Sequence, residues 1–147
     1  ANLEGANLED ANLWKANLEG ANLKKVDLFR ANLEGAKLIN ANLQGANLID
    51  ANLRSADLIN ANLYEANLQD ANLQSADLYC ADLRYADLRF TDLRFADLRK
   101  ALLDEVKLGG ADLYCAYLDI DLDEVNLDEA IDEIEDTNTT KIIRRVK

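Results

Sequence analysis

Histidine, proline and methionine are absent from this 147-residue chain, and tryptophan occurs once. Without histidine the chain lacks the side chain that most often serves as general base and metal ligand near neutral pH. No apolar run approaches the roughly 20 residues that cross a bilayer as a helix, and no leader pattern of basic, apolar and small residues is present. The chain begins on Ala1 and not on methionine, which leaves a removed targeting segment open. The only two cysteines, Cys80 and Cys115, lack the spacing of a zinc site. No P-loop, dinucleotide glycine fingerprint or nucleophile elbow occurs. Enzymatic chemistry, a cofactor and a metal site are therefore not expected, and the length suggests one domain.

What the chain has is a single five-residue phrase. Ala1-Asn2-Leu3-Glu4-Gly5 is followed by Ala6-Asn7-Leu8-Glu9-Asp10, and the frame holds without a gap to about Ile120. Leucine occupies the third place of twenty-four successive pentads, Leu3 to Leu118. Alanine fills the first place except at Val26, Thr91 and Val106. Asn or Asp fills the second except at Lys37, Leu102, Lys107 and Tyr117.

Such a period fits neither the two-residue repeat of a strand nor the 3.6-residue repeat of a helix. It fits a coil in which each pentad makes one short extended side and then turns a corner. Strand alternation sends the first- and third-place residues inward and the second-place Asn or Asp outward. Four sides close a square turn of about twenty residues, and turns stack at the parallel-strand spacing of roughly 4.8 Å. Leucine then stacks on leucine, and alanine fits the crowded layer between.

The A-(N/D)-L-X-X signature resembles the pentapeptide-repeat proteins, and the uniform Leu centre is most similar to their cyanobacterial members. The resemblance covers about 120 of the 147 residues. It implies an all-β fold, the right-handed quadrilateral parallel β-helix, with about six turns here. The expected organisation is a β-helix over 1–129 with a register slip near 119–121, a capping helix over 127–136, and a loose basic tail over 137–147. The slip is visible where Leu122 follows Leu118 by four residues. The helix is read from the spacing of Leu127, Ala130, Ile131 and Ile134, with Asn126 and Glu129 placed as a capping box. Residues Lys141 to Lys147 also have the option of pairing with a strand edge.

Early fifth places include Gly5, Gly20, Gly35, Gly45, Asn40 and Asn60, which tolerate the positive φ of a type II turn. From Cys80 onward they become Cys80, Tyr85, Phe90, Phe95, Lys100 and Glu105. The expectation is that type II corners give way to another turn type above residue 80. Cys80 and Cys115 sit at corners nearly two turns apart, beyond the roughly 7 Å Cα separation that a disulfide spans, so both are expected as free thiols.

Two outward features are candidates for contact. Residues 81–100 read ADLRY, ADLRF, TDLRF, ADLRK, placing Arg84, Arg89, Arg94 and Arg99 on four successive sides and Tyr85, Phe90 and Phe95 at three corners. Arginine with aromatics is the composition of interaction hot spots; a belt of surface ion pairs with Asp82, Asp87, Asp92 and Asp97 is the structural alternative. Apolar strips, Ile39-Ile59-Tyr79 on one side and Phe29-Ile49 on another, stack across layers or form a contact face.

The net charge is −12, and it is concentrated near one end: residues 101–136 hold thirteen acids against Lys107 alone, and 137–147 hold four bases. These features predict a non-catalytic structural or protein-interaction module that presents rigid flat faces to an unidentified protein partner. Direct nucleic-acid binding is disfavoured by the charge, and no membrane association is expected. The uncovered first coil suggests an end-to-end homodimer. The resemblance implies an alternative function, because some family members mimic B-DNA and act on DNA gyrase, protecting it from quinolones. The expected compartment is the cytoplasm, or the thylakoid lumen or periplasm if a targeting segment is removed.

Overall fold

The computed structural model of the protein describes residues 1–119 and the backbone of Arg144–Arg145. Each second-place residue bridges in parallel to the one twenty positions later: Asn2 to Asn22, Asn22 to Asn42, and so on to Asp97 with Tyr117. Four pentads therefore complete one turn, and the chain forms a right-handed quadrilateral β-helix. Its four walls begin with the pentads at Ala1, Ala6, Ala11 and Ala16.

In an inner pentad whose second place is Asn or Asp, each of the five backbone N–H groups has an acceptor, which is the requirement on a buried chain. In one example from the third wall, Asn72 N–H donates to Ala51 O at 2.9 Å and Leu73 N–H to Asp92 O at 2.8 Å. Ser75 N–H donates to Arg94 O at 2.9 Å, and Ala76 N–H closes the corner on Leu73 O at 3.0 Å. The fourth-place N–H of Gln74 takes no part in the bonds between coils, and Asn72 Oδ1 accepts it at 3.0 Å. The second place is Asn or Asp because a short side-chain oxygen reaches the N–H two residues on.

Inside, leucines from Leu23 to Leu93 are fully buried, and the alanines beside them are at most 1% exposed. Thr91 replaces an alanine in this interior with no exposure, and its Oγ1 donates to Leu68 O at 2.8 Å, so the hydroxyl is satisfied. Among the first coil's leucines, Leu3, Leu8 and Leu13 remain half-buried.

The corners overturn the expected change of turn type. Every fifth-place residue through Cys115 has positive φ, including Tyr85 (60°), Phe90 (60°), Phe95 (61°) and Lys100 (59°). The left-handed region costs a bulky side chain on the order of 1 kcal/mol or more. Two hydrogen bonds at each corner up to Phe95, and the one that closes the turn at Lys100 and beyond, outweigh that preference. At Tyr85, its own N–H reaches Asp104 O at 3.0 Å and the N–H of Ala86 reaches Leu83 O at 3.0 Å.

At the far end, β1 (Tyr117–Leu118) pairs in parallel with β2 (Arg144–Arg145). The expected register slip, the capping helix over 127–136 and the rest of the basic tail lie outside the described residues. No helix among the described residues is long and apolar enough to cross a membrane.

Candidate interaction surface

The fold sets the belt arginines two residues past an aspartate on the same wall, which is the spacing of a fork. Arg84 Nε donates to Asp82 Oδ1 at 2.9 Å and its Nη2 to Oδ2 at 2.7 Å. Arg89 repeats this on Asp87 at 2.9 and 2.7 Å, and Arg94 on Asp92 at 2.8 and 2.5 Å. Arg99 forks onto Asp97 in the same way. The fork, with its side-chain hydrogen bonds as the main cause, holds all four carboxyls below the usual aspartate range and raises the guanidinium values. Partial burial of the aspartates opposes the shift but does not reverse it.

The arginines are therefore paired within their own pentads. Arg94 Nε also lies 3.6 Å from Asp112 Oδ2. Arg99 sits between the rings of Tyr79 and Tyr117, at 6.0 and 5.8 Å. No arginine of the belt relieves Asp57 or Asp77, lower in the same column as Asp97.

The aromatic corners stand out. Tyr85, Phe90 and Phe95 are 51%, 57% and 45% exposed. Tyr85 meets Tyr64 edge-on at 5.4 Å, and Phe95 meets Tyr114 edge-on at 5.7 Å. Phe90 lies over Gly110, where an added Cβ would sit 2.5 Å from its ring. Three further large apolar side chains, Leu102, Tyr114 and Tyr117, are exposed in the next coil. They were not singled out from the sequence, although Leu102 and Tyr117 are visible there as departures from Asn or Asp in the second place. Trp14, in the first coil, is also exposed and carries Lys15 Nζ 4.3 Å from its ring.

Cys80 and Cys115 are free thiols, each half-buried. Among the described residues no group of three or more His, Cys, Asp or Glu converges as a metal site requires.

The model of the pentapeptide-repeat family matches in eight copies over residues 1–38, 27–63, 51–89 and 81–118. The chain belongs to the pentapeptide-repeat proteins. This family assignment accounts for the square coil and the Leu-filled axis. Among solved structures the chain is similar to HetL, from the cyanobacterium Nostoc sp. strain PCC 7120, a pentapeptide-repeat protein involved in heterocyst differentiation regulation. The likeness has 41% identity over 76% of this chain and 52% of that one, with a TM-score of 0.74. The chain thus spans about half the length of HetL. It is also similar to Rfr23, a pentapeptide-repeat protein from the cyanobacterium Cyanothece 51142, at 34% identity over 76% of this chain and 86% of that one, TM-score 0.62. Likeness to a trypsin-treated form of QnrB1, a plasmid-mediated fluoroquinolone resistance protein, is one of fold: 19% identity over 80% and 70% of the two chains, TM-score 0.57. No curated protein matches the chain.

Proposed function

We propose that this pentapeptide-repeat protein is a non-catalytic interaction module that engages a protein partner through the coil of residues 81–100. One observation carries the reading: Tyr85, Phe90 and Phe95 hold left-handed backbone and keep about half of their surface in water. Glycine, asparagine, serine or aspartate fills the same corner elsewhere at lower backbone cost. Neither the strain nor the exposure helps the tower stand, so both are the signature of a surface kept for contact. The forked arginines beside them are rigid and pre-oriented, each with Nη1 left over by the fork.

HetL's described part in heterocyst differentiation regulation supports a regulatory setting. The support is to the scaffold more than to the faces. An identity of 41% is less than the share of each pentad taken by the Ala-Asn-Leu places, and need not include any fourth- or fifth-place residue.

Affinity capture from native lysate tests the proposal, comparing wild type with Tyr85→Ser/Phe90→Ser/Phe95→Ser and with Arg84, Arg89, Arg94 and Arg99 changed to Gln. A protein retained by wild type and lost from the aromatic variant is the expected result. Identical captures by all three would reject the belt. The net charge of −12 favours acidic DNA mimicry as the second reading. Inhibition or drug protection in a gyrase supercoiling assay would transfer the proposal to it.

A further inference from the structure

The coil of residues 101–119 rests on the belt coil but lacks the local bond that stiffens the pentads beneath it. In the belt coil, Asp82, Asp87, Asp92 and Asp97 each accept the backbone N–H two residues on, at 3.1 or 3.2 Å. Among the described residues of the coil above, only Asp112 does so, for Tyr114 at 3.0 Å. Leu102, Lys107 and Tyr117 have no short oxygen, so the N–H groups of Asp104, Gly109 and Asp119 have no acceptor within their own pentads. The same coil contains the pair Gly109-Gly110, whose backbones lose the most freedom on folding. Its Leu103 and Leu108 are also less sealed than Leu83, Leu88 and Leu93 below.

The belt coil reaches down and up through separate amides. The second-place N–H groups of Asp82, Asp87, Asp92 and Asp97 donate downward, to the carbonyls of Ala61, Ala66, Ala71 and Ala76. The third- and fifth-place groups donate upward. Leu83 reaches Leu102 O at 2.9 Å, Leu88 reaches Lys107 O at 2.8 Å, and Leu93 reaches Asp112 O at 2.8 Å. Tyr85, Phe90 and Phe95 reach Asp104, Gly109 and Tyr114 O at 3.0, 3.0 and 2.9 Å. Each aromatic corner thus owes one of the two bonds that hold its left-handed backbone to the coil above. The rings lean on that coil as well, Phe90 over Gly110 and Phe95 edge-on to Tyr114.

We infer that residues 101–119 open and close as a unit on a standing tower, and that closure sets the shape of the aromatic corners. Stacked coils are held by nearest-neighbour contacts, so one coil can release while those beneath it stay folded. The three missing local bonds weaken the closed form of this coil and of no other to the same extent. Opening bares the layer of Leu83, Leu88, Leu93 and Leu98. It also leaves Tyr85, Phe90 and Phe95 with only the bond that closes the turn, against a local preference for negative φ. The coil is therefore a conformational switch for the belt. Its use as a switch rests on the reading of the belt as a contact surface; the opening does not.

The test is amide hydrogen exchange on the full chain without denaturant, followed residue by residue by NMR. The protection factors of Leu83, Tyr85, Leu88, Phe90, Leu93 and Phe95 match those of Leu102, Lys107 and Asp112. They fall about tenfold or more below those of Asp82, Asp87 and Asp92 in the same coil. The variant Leu102→Asn/Lys107→Asn/Tyr117→Asn supplies the missing oxygens, as Asp82, Asp87 and Asp97 do one rung below, and raises protection of the upward-donating set about tenfold or more. Leu102→Asn alone, the smallest change, raises it about threefold or more. Leu102→Ala/Lys107→Ala/Tyr117→Ala removes the same side chains without supplying an oxygen and gives no rise. Equal protection of the upward- and downward-donating sets in wild type would overturn the inference. So would unchanged protection in both Asn variants, or an equal rise in the Ala variant.

Discussion

Asn72 Oδ1 accepts the backbone N–H of Gln74 at 3.0 Å, and this bond recurs in twenty of the twenty-four pentads. The four pentads without it are those whose second place is Lys37, Leu102, Lys107 or Tyr117, none of which has a short oxygen to offer. Three of these four lie in the last coil before Asp119, where the interior is also less completely sealed: Leu103 and Leu108 are 7% and 6% exposed.

Asn72→Ala removes the acceptor for Gln74 and is expected to cost about 1 kcal/mol. Asn72→Asp keeps the oxygen and is expected to cost less. Urea denaturation midpoints of the two variants check the order.

Leu63 is fully buried in the middle of the tower, between leucines above and below that the ladder holds in place. Leu63→Ala therefore leaves a cavity that the coil cannot collapse to fill, and is expected to cost about 2–5 kcal/mol. Equilibrium unfolding measures it, and a loss near zero would mean that the leucine pillar is not the main support.

Phe90 and Gly110 form a coupled pair across one coil. Gly110→Ala places a Cβ 2.5 Å from the Phe90 ring on a residue at φ 70°, and is expected to cost about 1–3 kcal/mol. In a Phe90→Ala background the clash is gone and only the backbone cost remains. A double-mutant cycle by urea denaturation is expected to return a coupling energy above about 0.5 kcal/mol.

The belt predicts a specific dependence on acid. Asp82, Asp87, Asp92 and Asp97 are held low by their arginines. A carboxyl whose folded value is depressed contributes stability above its unfolded value of about 3.9. That contribution is lost as pH falls through the folded value. The variant with all four arginines changed to Gln is expected to melt a few degrees below wild type at neutral pH, and the gap is expected to narrow as pH falls below the unfolded value of about 3.9 toward the depressed folded values. Thermal melts of both proteins across this range check it; a gap that widens in acid would contradict the pairing.

The sequence by itself determined the four walls, the twenty-residue turn and the leucine interior. A strict period of five with one large apolar residue per phrase has few ways to bury that residue, and all of them set like places above one another. It also placed the belt residues on successive walls, because wall position follows from counting pentads. Only the tertiary structure decided the corners, since local preference at Tyr85, Phe90 and Phe95 runs against positive φ and is overruled by hydrogen bonds to the neighbouring coil and across the turn. It decided how the belt charges are met: the sequence offers the Asp–Arg pairs, and the fold closes each into a two-bond fork. Asp97 and Asp77 stand in the same column with the same side chain, yet one holds a guanidinium and the other does not, because the outward neighbour two residues on is Arg99 in one rung and Tyr79 in the other, and only folding sets those rungs one above the other on a shared face.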